Sequence, residues 1–297
     1  MKRWMFVVAA LACTPLVAPA QQRHCGVLVM AHGGAPDWNA AVETAVAPLR
    51  ARQPVSLAFG MADPATLRAA VQELGDAGVP CIAVVRLFMS GASFLHQTEY
   101  LLGLRPDPPA FFMNHGAPGG HSSHAAPPPI AVDAEVLLGL EGLLDDLSMG
   151  AILARRAASL SVDPASESIL ILAHGPGDDG ENERWLHQMD RMADSIRATR
   201  PFHRVEVHTL REDWQDKRAA SEARIRSFVK QETAAGRHVL VVPFRLSGFG
   251  PYAEVLEGLT YTADERGLLP DPAITDWMRR QAASLQGHAP DYQAEIR

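Results

Sequence analysis

The sequence predicts an α/β protein of two tandem, doubly wound lobes, each a parallel sheet with helices on both faces. Three observations carry that prediction. The stretch Gly26-Val27-Leu28-Val29-Met30-Ala31-His32-Gly33-Gly34 returns in the second half as Ser168-Ile169-Leu170-Ile171-Leu172-Ala173-His174-Gly175-Pro176. Unbroken apolar runs of strand length alternate with segments of helical period in both halves, as βαβ units require. Finally, Cys81-Ile82-Ala83-Val84-Val85-Arg86-Leu87-Phe88-Met89-Ser90-Gly91 parallels Val239-Leu240-Val241-Val242-Pro243-Phe244-Arg245-Leu246-Ser247-Gly248.

In the first half the expected order is a strand at 26–31, a helix at 37–52 with Val42, Val46 and Leu49 at helical spacing, and a strand at 55–60. A helix follows from Pro64 to Ala77, opened by Asp63 with proline at its first position. A strand at 80–88 and a helical segment at 93–104 complete the pattern, and Val136 to Leu160 reads as one or two amphipathic helices closing the lobe. The second half repeats the order, with strands at 168–173, 203–209 and 237–244 and helices at 181–199, 216–235, 251–266 and 274–286. The expected domain boundaries are 1–20, 21–160 and 161–290.

The first of these segments is a secretory signal. Lys2 and Arg3 precede an apolar run from Trp4 to Ala12, and Ala18-Pro19-Ala20 forms a small-x-small cleavage site. The run is too short to span a bilayer, so the expectation is an exported protein, periplasmic or secreted, with no integral membrane segment after cleavage. Lipoprotein anchoring is not expected, because Ala10-Leu11-Ala12-Cys13 is poorly ordered for a lipobox. About 277 residues then remain, enough for two ordinary lobes. The net charge of −7 and the absence of a basic stripe exclude nucleic acid as the expected partner. Cys25 and Cys81 open two strands that are neighbours if the strand order is 2-1-3. They either pair in an oxidising compartment or are small buried residues.

Open α/β sheets present ligand-binding groups at the carboxyl ends of their strands, where His32 and His174 stand. A strand-end histidine is either a packed or capping residue or a functional one, and recurrence of one imidazole at the same place in both halves, each followed by glycine, suits a metal ligand or an acid/base better than packing. In a 2-1-3 order His32 faces the 89–99 loop, which offers His96 and Glu99, and His174 faces the 247–254 loop, which offers Tyr252 and Glu254. Between the lobes, residues 111–129 are rich in Gly, Ser, Pro and His. His115, His121 and His124 there either capture a late first-row divalent metal or belong to a solvated insertion.

These motifs together resemble the CbiX-type sirohydrochlorin chelatases of the class II chelatase superfamily. The resemblance rests on a buried strand ending in Ala-His-Gly, a later strand Val241-Val242-Pro243-Phe244 close to the family's VVPxF form, the Ala-His-Gly-Pro start of the second half, Gly267-Leu268-Leu269-Pro270 and the Trp277 helix, and it covers nearly all of 25–286. It implies two flavodoxin-like lobes and insertion of Co2+, Ni2+ or Fe2+ into a tetrapyrrole, with the metal as substrate and no nucleotide. It also implies a strand-end histidine, matched by His32 and His174, and a second histidine beyond the third strand. By counting, that second position falls near Phe94 and Pro251, and His96 is the available substitute, which favours the first lobe. His32, His96, His174 or Glu99 would accept the pyrrole protons. Arg86, Arg105 and Arg245 are either rim partners for substrate carboxylates or ordinary strand-edge and surface charges. The alternative function is a non-catalytic periplasmic protein that binds metal or tetrapyrrole. A secreted α/β hydrolase is disfavoured by the lack of a Gly-x-Ser-x-Gly elbow.

Overall fold

The computed structural model describes residues 24–110, 112 and 126–287. The signal segment expected over 1–20 and the three loop histidines His115, His121 and His124 therefore lie outside the described residues. The first half runs β1 (Gly26–Ala31), α1 (Pro36–Arg50), β2 (Val55–Phe59), α2 (Pro64–Asp76), β3 (Cys81–Leu87), α3 (Leu95–Leu101), β4 (Glu135–Leu138) and α4 (Met149–Leu160). The second half runs β5 (Glu167–Ala173), α5 (Asp179–Thr199), β6 (Arg204–Thr209), α6 (Gln215–Ala234), β7 (His238–Phe244), α7 (Tyr252–Val255), β8 (Thr262–Ala263) and α8 (Pro272–Gly287). Each half forms a four-stranded parallel sheet, ordered β2-β1-β3-β4 and β6-β5-β7-β8. The 2-1-3 order and the parallel α/β class are as the sequence predicts.

Local chemistry explains most of the boundaries. All of β1 and β3 is buried, which accounts for their continuous apolar runs. Asp63 caps α2 by accepting from the amides of Ala65 and Thr66, two donors that the first turn would otherwise leave unpaired. Cys25 and Cys81 form a disulfide with a Cα separation of 4.5 Å. The register explains the bridge, because Gly26 pairs with Ile82 and the two cysteines each stand one residue before that pair.

Two expected helices are corrected. Glu135–Leu138 is a strand paired with Cys81–Val84, and the helix begins only at Met149. Val136, Leu137 and Leu138 are all buried, and an apolar triplet without polar spacing suits a covered strand better than a surface helix. The helix expected over 251–266 shrinks to Tyr252–Val255, and Thr262–Ala263 adds a short strand beside β7. Gly258, at φ +74°, breaks the helical path between them.

The two halves exchange their last helices. Instead of closing the first lobe, α4 packs on α5 and β7, while α8 crosses back onto β3, β4 and α1. Gly150 of α4 lies so close to α5 that a Cβ would stand 2.5 Å from the Met192 carbonyl oxygen. On the other side, Thr275 of α8 donates to the Ala45 carbonyl of α1 at 2.7 Å. One continuous apolar core therefore runs between the sheets, with Val27, Val29, Ile169, Ile171, Met192 and Trp277 in it. The outer sheet faces are covered separately, by α2 and α3 in the first half and α6 and α7 in the second.

Candidate functional site

The carboxyl ends of the two sheets meet. Ser90, just after β3, donates to Glu181 in the first turn of α5 at 3.1 Å, and Arg184 bridges Glu181 to Asp145. The hydrogen bonds from Arg184, outweighing burial, hold the Glu181 carboxyl below its ordinary range. His32 and His174, which follow β1 and β5, stand at this shared end.

Both histidines are fixed in the same way. His32 Nδ1 lies 2.8 Å from the Gly33 carbonyl oxygen, and His174 Nδ1 lies 2.7 Å from that of Gly175. A carbonyl only accepts, so Nδ1–H donates in each ring and Nε2 points away from its own backbone. The following glycines adopt φ +73° and +76°, and a Cβ would meet Phe59 at 3.1 Å in the first case and Thr209 at 2.5 Å in the second. Only glycine combines that conformation with that approach.

Beyond this common base the lobes differ. The exposed His32 ring stacks on Trp38, with centroids 5.3 Å apart and planes 10° from parallel. His174 Nε2 instead faces Asp213 at 2.9 Å and Glu212 at 4.0 Å, and its ring meets Trp214 edge-on at 5.9 Å. Arg211, in the left-handed region at φ 58°, turns the chain after β6. The amides of Arg211 and Glu212 donate to the His174 carbonyl, while the Arg211 guanidinium clamps Pro176, Gly177 and Asp179. One oxygen of Glu212 is held by Arg245, and the other is the one nearest His174. Arg245 lies over the ring of the buried Tyr252, 5.6 Å from its centroid. Burial pulls the Arg245 pKa down, but Tyr252 and Glu212 outweigh it and the net shift is upward.

His174 is thus a pinned imidazole whose outer nitrogen faces two carboxylates. Asp213 stands at hydrogen-bond distance from that nitrogen, 2.9 Å, and Glu212 at 4.0 Å stands beyond it. Among the described residues no three His, Cys, Asp or Glu side chains form a ready-made cation site.

The remaining expected residues separate. His96 Nδ1 lies 2.9 Å from Glu99, which Arg105 approaches at 3.8 Å. His96 is 64% exposed and Glu99 only 11%. No hydrogen bond, ion pair or ring contact joins this pair to His32. Phe94, at the counted position of a second histidine, is a left-handed residue that caps α3 and packs on Phe88. Tyr252 reaches His174 only through Arg245 and Glu212, while Glu254 adds to the field at Arg218. Arg86 is not a rim residue. It is 1% exposed and donates to the carbonyls of Gly139, Ser93, Gly91 and Leu140. Glu212 and Asp213 were not among the residues the sequence singles out. Their signal is position, since Arg-Glu-Asp-Trp follows directly on the strand that neighbours the histidine strand. The first lobe is favoured because the second has no histidine near Pro251, and Glu212 and Asp213 supply carboxylates beside His174 instead.

No family model matches the sequence, and no curated protein matches it by sequence. Solved structures do match the fold. SirB from Bacillus subtilis with Fe3+ superposes with a TM-score of 0.62 at 13% identity, covering 89% of this chain and 97% of that one. The sirohydrochlorin chelatase SirB from Bacillus subtilis subspecies spizizenii, in complex with cobalt, gives 0.57 at 11% identity over 91% and 97%. DR2241 from Deinococcus radiodurans, a multi-domain protein with structural similarity to chelatases, gives 0.54 at 19% identity, with 88% of this chain covering 55% of that one. The fold is therefore the chelatase fold, and at these identities the likeness is one of fold. No helix among the described residues is long and apolar enough to cross a membrane.

Proposed function

We propose that the protein is an exported metal chelatase that inserts Co2+, Ni2+ or Fe2+ into sirohydrochlorin or a related tetrapyrrole. One observation carries this reading: two strand-end histidines, each pinned through Nδ1, stand at the shared carboxyl end of a chelatase fold. Neutral imidazole binds borderline divalent ions without the grip of a thiolate cage, which suits an ion that must be handed on.

The reaction exchanges one M2+ for two pyrrole N–H protons. His174 with Asp213 receives the ion, Arg245 holds Glu212 within 4.0 Å of the imidazole, and the turn fixed by Arg211 keeps both carboxylates on that side. His32 offers its Nε2 from the first lobe. Asp213, 71% exposed, and the His96–Glu99 pair are the groups available to take the departing protons. The three histidines of the 111–129 segment would add metal capture. The proposed organisation is a signal peptide over 1–20 and lobes over 21–160 and 161–290, with the exchanged helices tying the lobes together. Export is supported by the leader sequence and fits the Cys25–Cys81 disulfide.

The alternative is a protein that binds metal or tetrapyrrole without turnover, favoured by the open 4.0 Å spacing at Glu212. Anaerobic incubation with sirohydrochlorin and each metal separates the two. A chelatase shifts the macrocycle absorbance faster than a metal-only control, whereas a binding protein leaves the rate at that of the control.

A further inference from the structure

We infer that Trp38 and Trp214 are positioning residues for the two strand-end histidines, an inference that rests on the proposed metal-handling role of those rings. Neither tryptophan reaches its histidine by default. Trp38 enters from the first turn of α1, and a Cβ on Gly34 would stand 2.3 Å from its indole. Trp214 enters from the turn before α6, and a Cβ on Gly177 would stand 2.1 Å from its Nε1. Each indole therefore lies where only a glycine leaves room for it.

The two tryptophans are not equivalent positions of the repeat. One follows β1 and the other follows β6, the second strand of its own sheet. The α5 tryptophan, Trp185, is buried and donates to Glu181 instead. Duplication of one ancestral contact does not produce this arrangement, because two unrelated chain positions bring an indole to the equivalent histidine of each lobe.

The chemistry follows from the ring geometry. With Nδ1 tied to the backbone, the remaining freedom of each imidazole is rotation and tilt, and the indole removes it. The parallel stack at Trp38 sets its π-face against His32, which favours that ring when Nε2 carries a cation. The edge-on contact at Trp214 leaves the plane of His174 free to reach Asp213. Trp38 thus supports the lobe in which no carboxylate among the described residues bonds to its histidine.

The test uses the leader-free full chain and Co2+ alone. Trp38→Leu should weaken Co2+ binding at His32, read against His32→Ala, by about three- to tenfold, and Trp38→Phe should recover most of the loss. Thermal melting of each variant identifies any that fails to fold. Long-range 1H–15N spectra of the histidine rings supply the second readout: His32 should show a single Nδ1–H ring in the parent and averaged nitrogen shifts in Trp38→Leu. Wild-type affinity together with unchanged His32 shifts in folded Trp38→Leu would overturn the inference. If the parent binds no Co2+, the metal-handling role fails, and the nitrogen shifts alone decide the positioning.

Discussion

Replacing Arg86 distinguishes a rim arginine from one that holds the fold. Its guanidinium ties the turn after β3, through Gly91 and Ser93, to the chain after β4, through Gly139 and Leu140, with two of the bonds at 2.8 Å. Burial lowers its pKa to about 10 even though Glu99 and Asp145 raise it, so it stays charged at neutral pH. A hydrogen bond to a charged group contributes about 1.5–3 kcal/mol net, and a buried carbonyl left unpaired costs about 1–3 kcal/mol. The bonds share one side chain and do not add fully, so the expected loss for Arg86→Ala is about 4 kcal/mol, in the range for a broken buried charge network. At about 2–4 °C per kcal/mol for a chain of this size, the melting temperature should fall by about 8–16 °C. Urea unfolding followed by far-UV circular dichroism measures the loss directly. A loss under about 1 kcal/mol, with a raised KM for the tetrapyrrole, would return Arg86 to the rim and refute the reasoning.

Two further perturbations act away from the histidines. Cys25→Ser/Cys81→Ser opens a loop with a sequence separation of 56 and should cost about 4 kcal/mol on the chain-entropy model. Because the bridge lies at the amino ends of β1 and β3, opposite His32, calorimetric titration of Co2+ should give unchanged affinity. Burial disfavours the Glu232 carboxylate, but bonds from Arg237, Ser168 and Arg204 overcome that and hold its pKa at about 2. A depressed carboxyl contributes stability above its unfolded pKa and loses it as pH falls, so about 3 kcal/mol should disappear between about pH 4.5 and 2. Glu232→Gln should flatten that part of the stability profile, and an unchanged slope would count against the network.

Much of the fold was legible because its signals are local and repeated. The all-buried strands β1, β3 and β5 show as continuous apolar runs, Asp63-Pro64 announces α2, and the 2-1-3 order explains the disulfide. The exchange of α4 and α8 was not legible, because an amphipathic helix shows that it has an apolar face and not which sheet receives it. The fourth strands were too short for their periodicity to register. At the site, His32 and His174 stood out through recurrence. Glu212, Asp213 and Trp214 did not recur, and an acidic pair before a helix reads equally well as a solvated helix start. They become site residues only once β6 is known to lie beside β5 and Arg211 is seen to turn the chain toward His174.

The account places metal handling on the two strand-end histidines, and the most direct test is the anaerobic rate of Co2+ insertion into sirohydrochlorin by His32→Ala/His174→Ala beside the parent chain. Each ring sits on the surface side of its strand end, so the double variant should fold normally by circular dichroism. The account predicts a parent rate above the metal-only control and a double-variant rate that falls to that control. A folded double variant that inserts Co2+ as fast as the parent would contradict it.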